Sequence, residues 1–393
     1  MLDVDVDVIM EDLDDVAGFL HEQRALGAAR WAKSFGQPSL MLLNHELVRA
    51  AFFDEATLPA AEFYANTVTD VMGNNIQTMR GEAHRVNRAL ISPAFRPSVV
   101  TDLVEPLLTP VADELIDAFI DRGHADLVAE YTRRYPFMVI TRLLGLPPGD
   151  EDQVRTWALA LLDIQNNYEF AKQCSADFRA YAQPMIDRRR TDPEGDLIST
   201  LATTEVEGQR LSDDEIFSFL LLLFPAGADT TYLGLGNALY HLLRDDEQMA
   251  ILRSDPAEHA AWAAEEAIRL DPPVAWILRI APTDLDWRGI SIPAHTPILL
   301  GLMAANRDPA VFPDPDRFDI TRRPTGVMTF GYGVHFCPGA ALARAEMATS
   351  LRILLDRLPN LRLADDAQGV RITGTIHHLL RGPNRLPVTF DAA

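Results

Sequence analysis

The stretch Phe330-Gly331-Tyr332-Gly333-Val334-His335-Phe336-Cys337-Pro338-Gly339-Ala340-Ala341-Leu342-Ala343-Arg344 decides how this chain is read. Gly331 and Gly333 open the backbone to positive φ and to close approach by a flat ligand. Pro338 suits the first turn of a helix, and a helix starting there aims amide N–H groups and its positive dipole end at the Cys337 sulfur. Such a setting favours thiolate over thiol. A lone cysteine is more often a small buried hydrophobe, so the residues around it must decide between the two.

Outward from this loop the chain reads as helices with a few short strands. Ser212, with Glu215 three residues later, is a capping box opening a helix that continues to about Leu243. Its middle, Leu220 to Ala228, is apolar on every side, which predicts burial through the centre of the fold. Pro225 removes one N–H and Gly227 weakens the next turn, so a kink or local opening is expected there, beside Asp229 and Thr230. Asp255-Pro256 starts another helix that ends at Leu270-Asp271 before Pro272-Pro273. Ser39 to Leu43 reads as a strand, followed by a helix His45 to Phe53 capped by Asn44; Ile298 to Leu302 is a second strand. Arg188 to Asp196, with Pro193 and Gly195, reads as an exposed loop.

Composition narrows the function classes. The 393 residues carry 35 Lys+Arg against 57 Asp+Glu, a net charge of −22, which disfavours nucleic acid and anionic lipid as partners. Hydrophobic residues at 48% and charged residues at 23% are ordinary for a soluble globular chain. Only Cys174 and Cys337 are present, too few for a disulfide framework or a CxxC knuckle, and a reducing compartment fits. The first fifteen residues hold seven acids and no base, and the longest nearly apolar run, Ile216 to Ala228, is short for a membrane span. A cytoplasmic protein, with no membrane partner, is expected. No repeat or composition shift divides the chain, so residues 1–393 are expected to form one domain.

The cysteine loop resembles, at every fixed position, the haem-binding signature of the cytochrome P450 family, F-G-x-G-x-H-x-C-x-G-x-x-L-A-R. Ala226-Gly227-Ala228-Asp229-Thr230-Thr231 is similar to the family's oxygen-activation motif. Glu266-Ala267-Ile268-Arg269 is similar to its E-x-x-R helix, and Pro315-Asp316-Arg317-Phe318 to the segment supplying a third partner, Arg317. His84, Arg88 and Arg279 fall on positions that hold the haem carboxylates. The likeness runs from about residue 39 to 388. It implies a mainly α fold with small β-sheets, haem b lying between the long central helix and the helix that follows the cysteine.

By this resemblance Cys337 is the axial metal ligand, a thiolate that favours O–O cleavage. Phe330, Gly331, His335, Gly339 and Ala226 would pack around the cofactor, while Asp229 and Thr230 would manage protons and dioxygen. Pro225 departs from the apolar residue expected at its position. Electrons would come from a ferredoxin and its NAD(P)H-dependent reductase, since the chain has neither a flavin fingerprint nor an iron–sulfur cysteine set. Arg85, Arg96, Arg317, Arg322, Arg323 and Arg344 are the candidate basic dock, and a monomer is expected. The substrate pocket maps to Phe63, Met72, Leu222, Ala226, Ala275, Trp276, Leu278, Leu379 and Leu380, which implies a hydrophobic small-molecule substrate, with Gln165-Asn166-Asn167 as possible polar contacts.

Hydroxylation is the expected outcome. Epoxidation, desaturation and oxidative coupling remain alternatives, and a haem-thiolate sensor is the rival from another class. The adjacent pair His377-His378 lacks a third ligand for a metal site, and Cys174, in a polar helical stretch, reads as an incidental thiol.

Overall fold

The computed structural model describes residues 2–13, 15–162, 164, 166–376 and 378–392. A four-stranded sheet stands to one side of a helical body. Its order is Ala29–Ser34, Gln37–Leu42, Pro297–Gly301, Trp276–Ile280. The first two strands form a hairpin whose turn uses Phe35 and Gly36 at φ 50° and 75°, the positive values a two-residue turn demands. Gln37–Leu42 then pairs in parallel with Pro297–Gly301, which pairs antiparallel with Trp276–Ile280, placing Arg279 opposite Ile298. The observed strands shift the expected ones by one or two residues at their ends, and Leu302 already begins a short helix, Leu302–Ala305.

The central helix starts as expected. Ser212 Oγ accepts from the Glu215 N–H at 3.3 Å while Glu215 Oε2 accepts from the Ser212 N–H at 2.9 Å. It runs as α-helix over Asp213–Leu223, widens to a π turn over Phe224–Asp229, and resumes over Thr230–Leu242. The missing N–H of Pro225 breaks the i→i−4 ladder there, and one wider turn is how the backbone recovers. By length and composition Asp213–Leu242 could cross a membrane, but 67% of its most apolar window is buried inside the protein, as befits a core helix. Asp255 caps the helix Pro256–Leu270 through the Glu258 N–H at 3.1 Å.

One expected loop begins as helix, over Arg188 to Thr191, and is irregular and largely exposed from Asp192 onward. Tyr168–Thr191 continues through Arg188, and Arg189 is 1% exposed, its Nε 2.6 Å from Asp196 Oδ2 and its Nη1 2.5 Å from Glu194 Oε1. Pairing with two carboxylates is what lets a guanidinium be buried here, and a sequence window of alternating charge conceals it. Cys174 lies on the same helix but faces inward, 3% exposed, so it is a core residue and not a thiol in a polar setting.

Candidate active site

The cysteine loop is held by its own backbone. Gly331 and Gly333 adopt φ 69° and 71°, Cys337 N donates to the Phe330 carbonyl at 2.9 Å, and a Cβ at Gly333 would lie 2.8 Å from the Phe52 carbonyl oxygen. Glycine is therefore required for both conformation and space. The helix Ala340–Arg357 follows, and the Gly339 and Ala340 N–H groups donate to the Cys337 sulfur. Burial nonetheless pushes the thiol above its ordinary value; those N–H groups, Arg88 and Arg344 pull the other way without overcoming it. The expected preference for thiolate is thus not a property of the loop alone, and it needs a cation at the sulfur.

Cys337 opens into a cavity of about 510 Å³ whose facing wall is the π turn, with Ala226, Gly227 and Thr230. Thr230 Oγ1 donates to the Ala226 carbonyl at 2.7 Å. Asp229, the last residue of the π turn, is not among the residues that line the cavity. Burial raises its carboxyl to about 7, opposed only by Arg133, whose guanidinium lies 5.4 Å from the Tyr232 ring.

Arg88, Arg279 and His335 line the cavity's other flank. Arg88 donates to the Phe336 carbonyl and Arg279 Nη1 to the Leu278 carbonyl at 3.1 Å, but Arg279 Nε is buried without a hydrogen bond, as is Nε2 of His84, which stands behind the lining with its ring 4.2 Å from that of His335. His84 is pushed down to about 4, first by burial and then by His335 and Arg88, and the carboxylate facing this group is Glu55, 3.3 Å from His335 Nε2. Buried donors crowded together with so little negative charge fit an anionic cofactor whose carboxylates would satisfy them. A haem meets that requirement and the sulfur together.

The pocket residues divide. Phe63, Leu222, Ala226, Trp276, Leu278, Leu379 and Leu380 line the cavity, but Met72 and Ala275, 5% and 1% exposed, pack into separate parts of the core. Met72 ends the helix Ala61–Met72 on its inward face, and Ala275 is tied by backbone hydrogen bonds to Leu379 and Leu302. Asn166 and Asn167 are exposed and away from the cavity, while Gln165 lies outside the described residues. Tyr64, Gln77, Phe219 and Glu346 line it without having been expected; only tertiary packing brings them there. A larger open groove of about 820 Å³ beside Phe53 and Trp287 holds none of the expected residues.

The scaffold expectation needs one correction. Glu266 and Arg269 are fully buried and bonded at 2.7 Å, but the third cation is Arg322, its Nε 3.0 Å from Glu266 Oε1; Arg317 contributes only its backbone carbonyl, to Arg269 and Arg322. The basic dock is also largely neutralised. Arg85 pairs with Glu82 and Glu207, Arg322 with Glu266, Arg323 with Glu258 and Arg344 with Glu265. What the cysteine loop and the neighbouring end of the helix His45–Phe53 expose includes apolar rings and a valine: Phe53, Val334 and Phe336 are 54%, 55% and 40% exposed, with Arg49 over the Phe53 and Tyr332 rings. No group of three or more His, Cys, Asp or Glu that could hold a metal ion occurs among the described residues; His377 lies outside them.

Comparison with known proteins agrees with this geometry. A family model described as Cytochrome P450 matches residues 152–363. "Cytochrome P450 107B1" from Saccharopolyspora erythraea is 37% identical over 306 residues, covering 78% of this chain and 74% of the relative. "Vitamin D(3) 25-hydroxylase" from Pseudonocardia autotrophica is 36% identical, covering 78% and 75%. The solved structure of cytochrome P450 CYP109Q5 from Chondromyces apiculatus superposes with a TM-score of 0.89 at 29% identity, covering 99% of each chain. With that likeness added to the cysteine loop, the π turn and the flank of Arg88, Arg279 and His335, the chain belongs to the cytochrome P450 family, the haem-dependent oxidoreductases.

Proposed function

We propose that this chain is a monooxygenase that inserts one oxygen atom from O2 into a neutral hydrophobic small molecule, with hydroxylation as the main outcome. When bound, the haem supplies the iron at which dioxygen is reduced and from which one oxygen atom passes to substrate. Cys337 would hold that iron through its sulfur. His84, Arg88, Arg279 and His335 would hold the cofactor's carboxylates, and Phe330, Gly331, Gly339 and Ala226 would pack against its faces. The largely apolar wall of Phe63, Leu222, Trp276, Leu278 and Leu379 would hold substrate by shape. A relative named for hydroxylating vitamin D3, a hydrophobic molecule, is in keeping with that wall.

The observation that carries the proposal is the placing of Asp229 and Thr230 side by side at the C-terminal end of the π turn. Thr230 offers a hydroxyl to the cavity and Asp229, titrating near pH 7, takes protons from the solvent side and releases them toward the helix. A haem protein that only senses a ligand has no use for this arrangement. Electrons would come from a ferredoxin and its NAD(P)H-dependent reductase. The exposed Phe53, Val334 and Phe336 support a docking face that works through apolar contact, so the reduction rate should depend weakly on salt. We further infer a monomer acting in the cytoplasm, in line with its two unpaired cysteines.

The test is NAD(P)H consumption by the haem-loaded protein with a surrogate ferredoxin and reductase, across a panel of hydrophobic compounds chosen by their shift of the haem absorption band. A product heavier by one oxygen atom, labelled from isotopic O2, is expected. Binding shifts without any substrate-dependent consumption would replace the enzyme by the sensor.

A further inference from the structure

The acid-rich first residues have a place in the fold. They lie along the free edge of the four-stranded sheet, beside Ala29–Ser34. The Asp3 and Val4 N–H groups donate to the Trp31 carbonyl at 2.9 and 3.1 Å, Lys33 N to the Val6 carbonyl at 2.9 Å, and Val8 N to the Lys33 carbonyl at 3.0 Å. Asp3 and Asp5 pair with Arg30 and Lys33 of that strand. Asp7, 6% exposed, accepts from the N–H groups of Ile9 at 3.1 Å, Met10 at 3.0 Å and Gly36 at 2.6 Å. These carboxylates tie a strap to an edge strand that would otherwise stand open, and turn its apolar residues inward.

Turned inward, Val8 and Ile9 are buried, Ile9 fully. They share one apolar cluster with Leu20 of the helix Val16–Leu26 and with Trp276 and Leu278, and Phe63 and Leu379 pack against it. The sheet brings these groups together. Leu299 is the register partner of both Met41 and Leu278, so the three stand on one sheet face, and Trp276, two positions from Leu278, shares it. Trp276, Leu278, Phe63 and Leu379 also line the cavity, whereas residues 2–13 do not. Asp12 stands over the same wall: its Oδ1 is 3.9 Å from Nδ1 of His378, which sits at φ 50° beside Leu379. One side of the cavity therefore has the strap behind it.

We propose that the strap determines substrate size: Ile9, anchored through Asp7, holds the wall of Trp276, Leu278 and Leu379 in place and so sets how long a substrate the cavity takes. The proposal rests on the reading of this cavity as the substrate pocket. Ile9 and Asp7 are positioning residues, since only the wall in front of them touches substrate. Protein interiors are close-packed, and volume removed behind a wall is space into which the wall can retreat. A loosened strap lengthens the cavity without altering any residue that lines it.

The test uses haem-loaded protein and a molecular ruler, the n-alkylimidazoles from butyl to dodecyl, whose ring binds the iron and whose tail extends into the cavity. The shift of the haem absorption band gives each dissociation constant. Ile9→Ala should tighten binding of the longest tails several-fold and weaken that of the shortest, moving the best-fitting length upward. Asp7→Ala, which frees the anchor, should move it the same way, and Ile9→Val, a milder change that keeps the fold, should do so by less. Ile116→Ala empties an equally buried position in the main core, away from the cavity lining, and should leave the preferred length unchanged. A preferred length in I9A, I9V and D7A equal to the parent's overturns the proposal, as does a displacement in I116A as large as that in I9A. The monooxygenase reading fails by a different sign, a parent that consumes no NAD(P)H with any compound, while the ruler still reads the wall.

Discussion

Replacing Glu266 by Ala should loosen the cysteine loop without touching it. Glu266 is fully buried and accepts from Arg269 Nε at 2.7 Å, Arg269 Nη2 at 2.9 Å, Arg322 Nε at 3.0 Å and the Asp319 N–H at 3.1 Å. Truncation leaves Arg269 buried with backbone carbonyls as its remaining partners, and stranding one member of a buried ion pair costs about 3–5 kcal/mol. Unfolding entropy of about 2.1 cal/mol/K per residue over 393 residues is about 0.8 kcal/mol/K, so the melting temperature should fall by about 4–6 °C. The damage has a path to the site. Arg269 Nη1 donates to the Asn306 carbonyl at 2.9 Å, and the Asn306 side chain holds Met328 N at 2.7 Å and Thr329 Oγ1 at 3.0 Å, just before Phe330. Thermal unfolding at equal haem loading, with the rate of haem loss to an acceptor, measures both effects. A melting temperature within about 1 °C of the parent would refute the reasoning.

The remaining predictions follow from single contacts. Arg322→Ala should destabilise the protein and Arg317→Ala should not, since only Arg322 reaches Glu266; equal denaturation midpoints for the two would contradict this. Thr230→Ala removes the hydroxyl on the cavity side of the π turn and should raise hydrogen peroxide release per NAD(P)H while leaving substrate binding spectra near those of the parent. Asp229→Asn should abolish the part of the turnover pH profile that inflects near 7. Because the folded carboxyl is raised to about 7, the native state holds a proton the unfolded chain has shed, so this group costs stability increasingly as pH rises from about 4 toward 7, and the variant should show a flatter stability profile there. Gly333→Ala places a Cβ 2.8 Å from the Phe52 carbonyl at φ 71° and should lower haem content in the purified protein by an amount absorption at the haem band can read.

Local chemistry was legible wherever one segment of chain sufficed. The capping box at Ser212, the cap at Asp255, the opening at Pro225 and the glycine-held cysteine loop all appear close to where the sequence places them, because each depends on a backbone group and a side chain a few residues apart. Long-range pairing was not legible. Arg317 and Arg322 stand five positions apart in one irregular segment, and nothing local says which side chain turns toward Glu266. Likewise, Arg85, Arg323 and Arg344 look like a basic field until Glu207, Glu258 and Glu265, distant in sequence, arrive to neutralise them.

The amino-acid sequence by itself determined the glycine-held loop around Cys337, the broken central helix and the family to which both belong, since a dense motif constrains residues that must act side by side. The tertiary structure decided which walls the cavity has, that Met72 and Ala275 are not among them, and that Glu346 is. It also set the direction in which each buried acid titrates. Desolvation depends on every element packed around a group, and that sum exists only once the chain has folded.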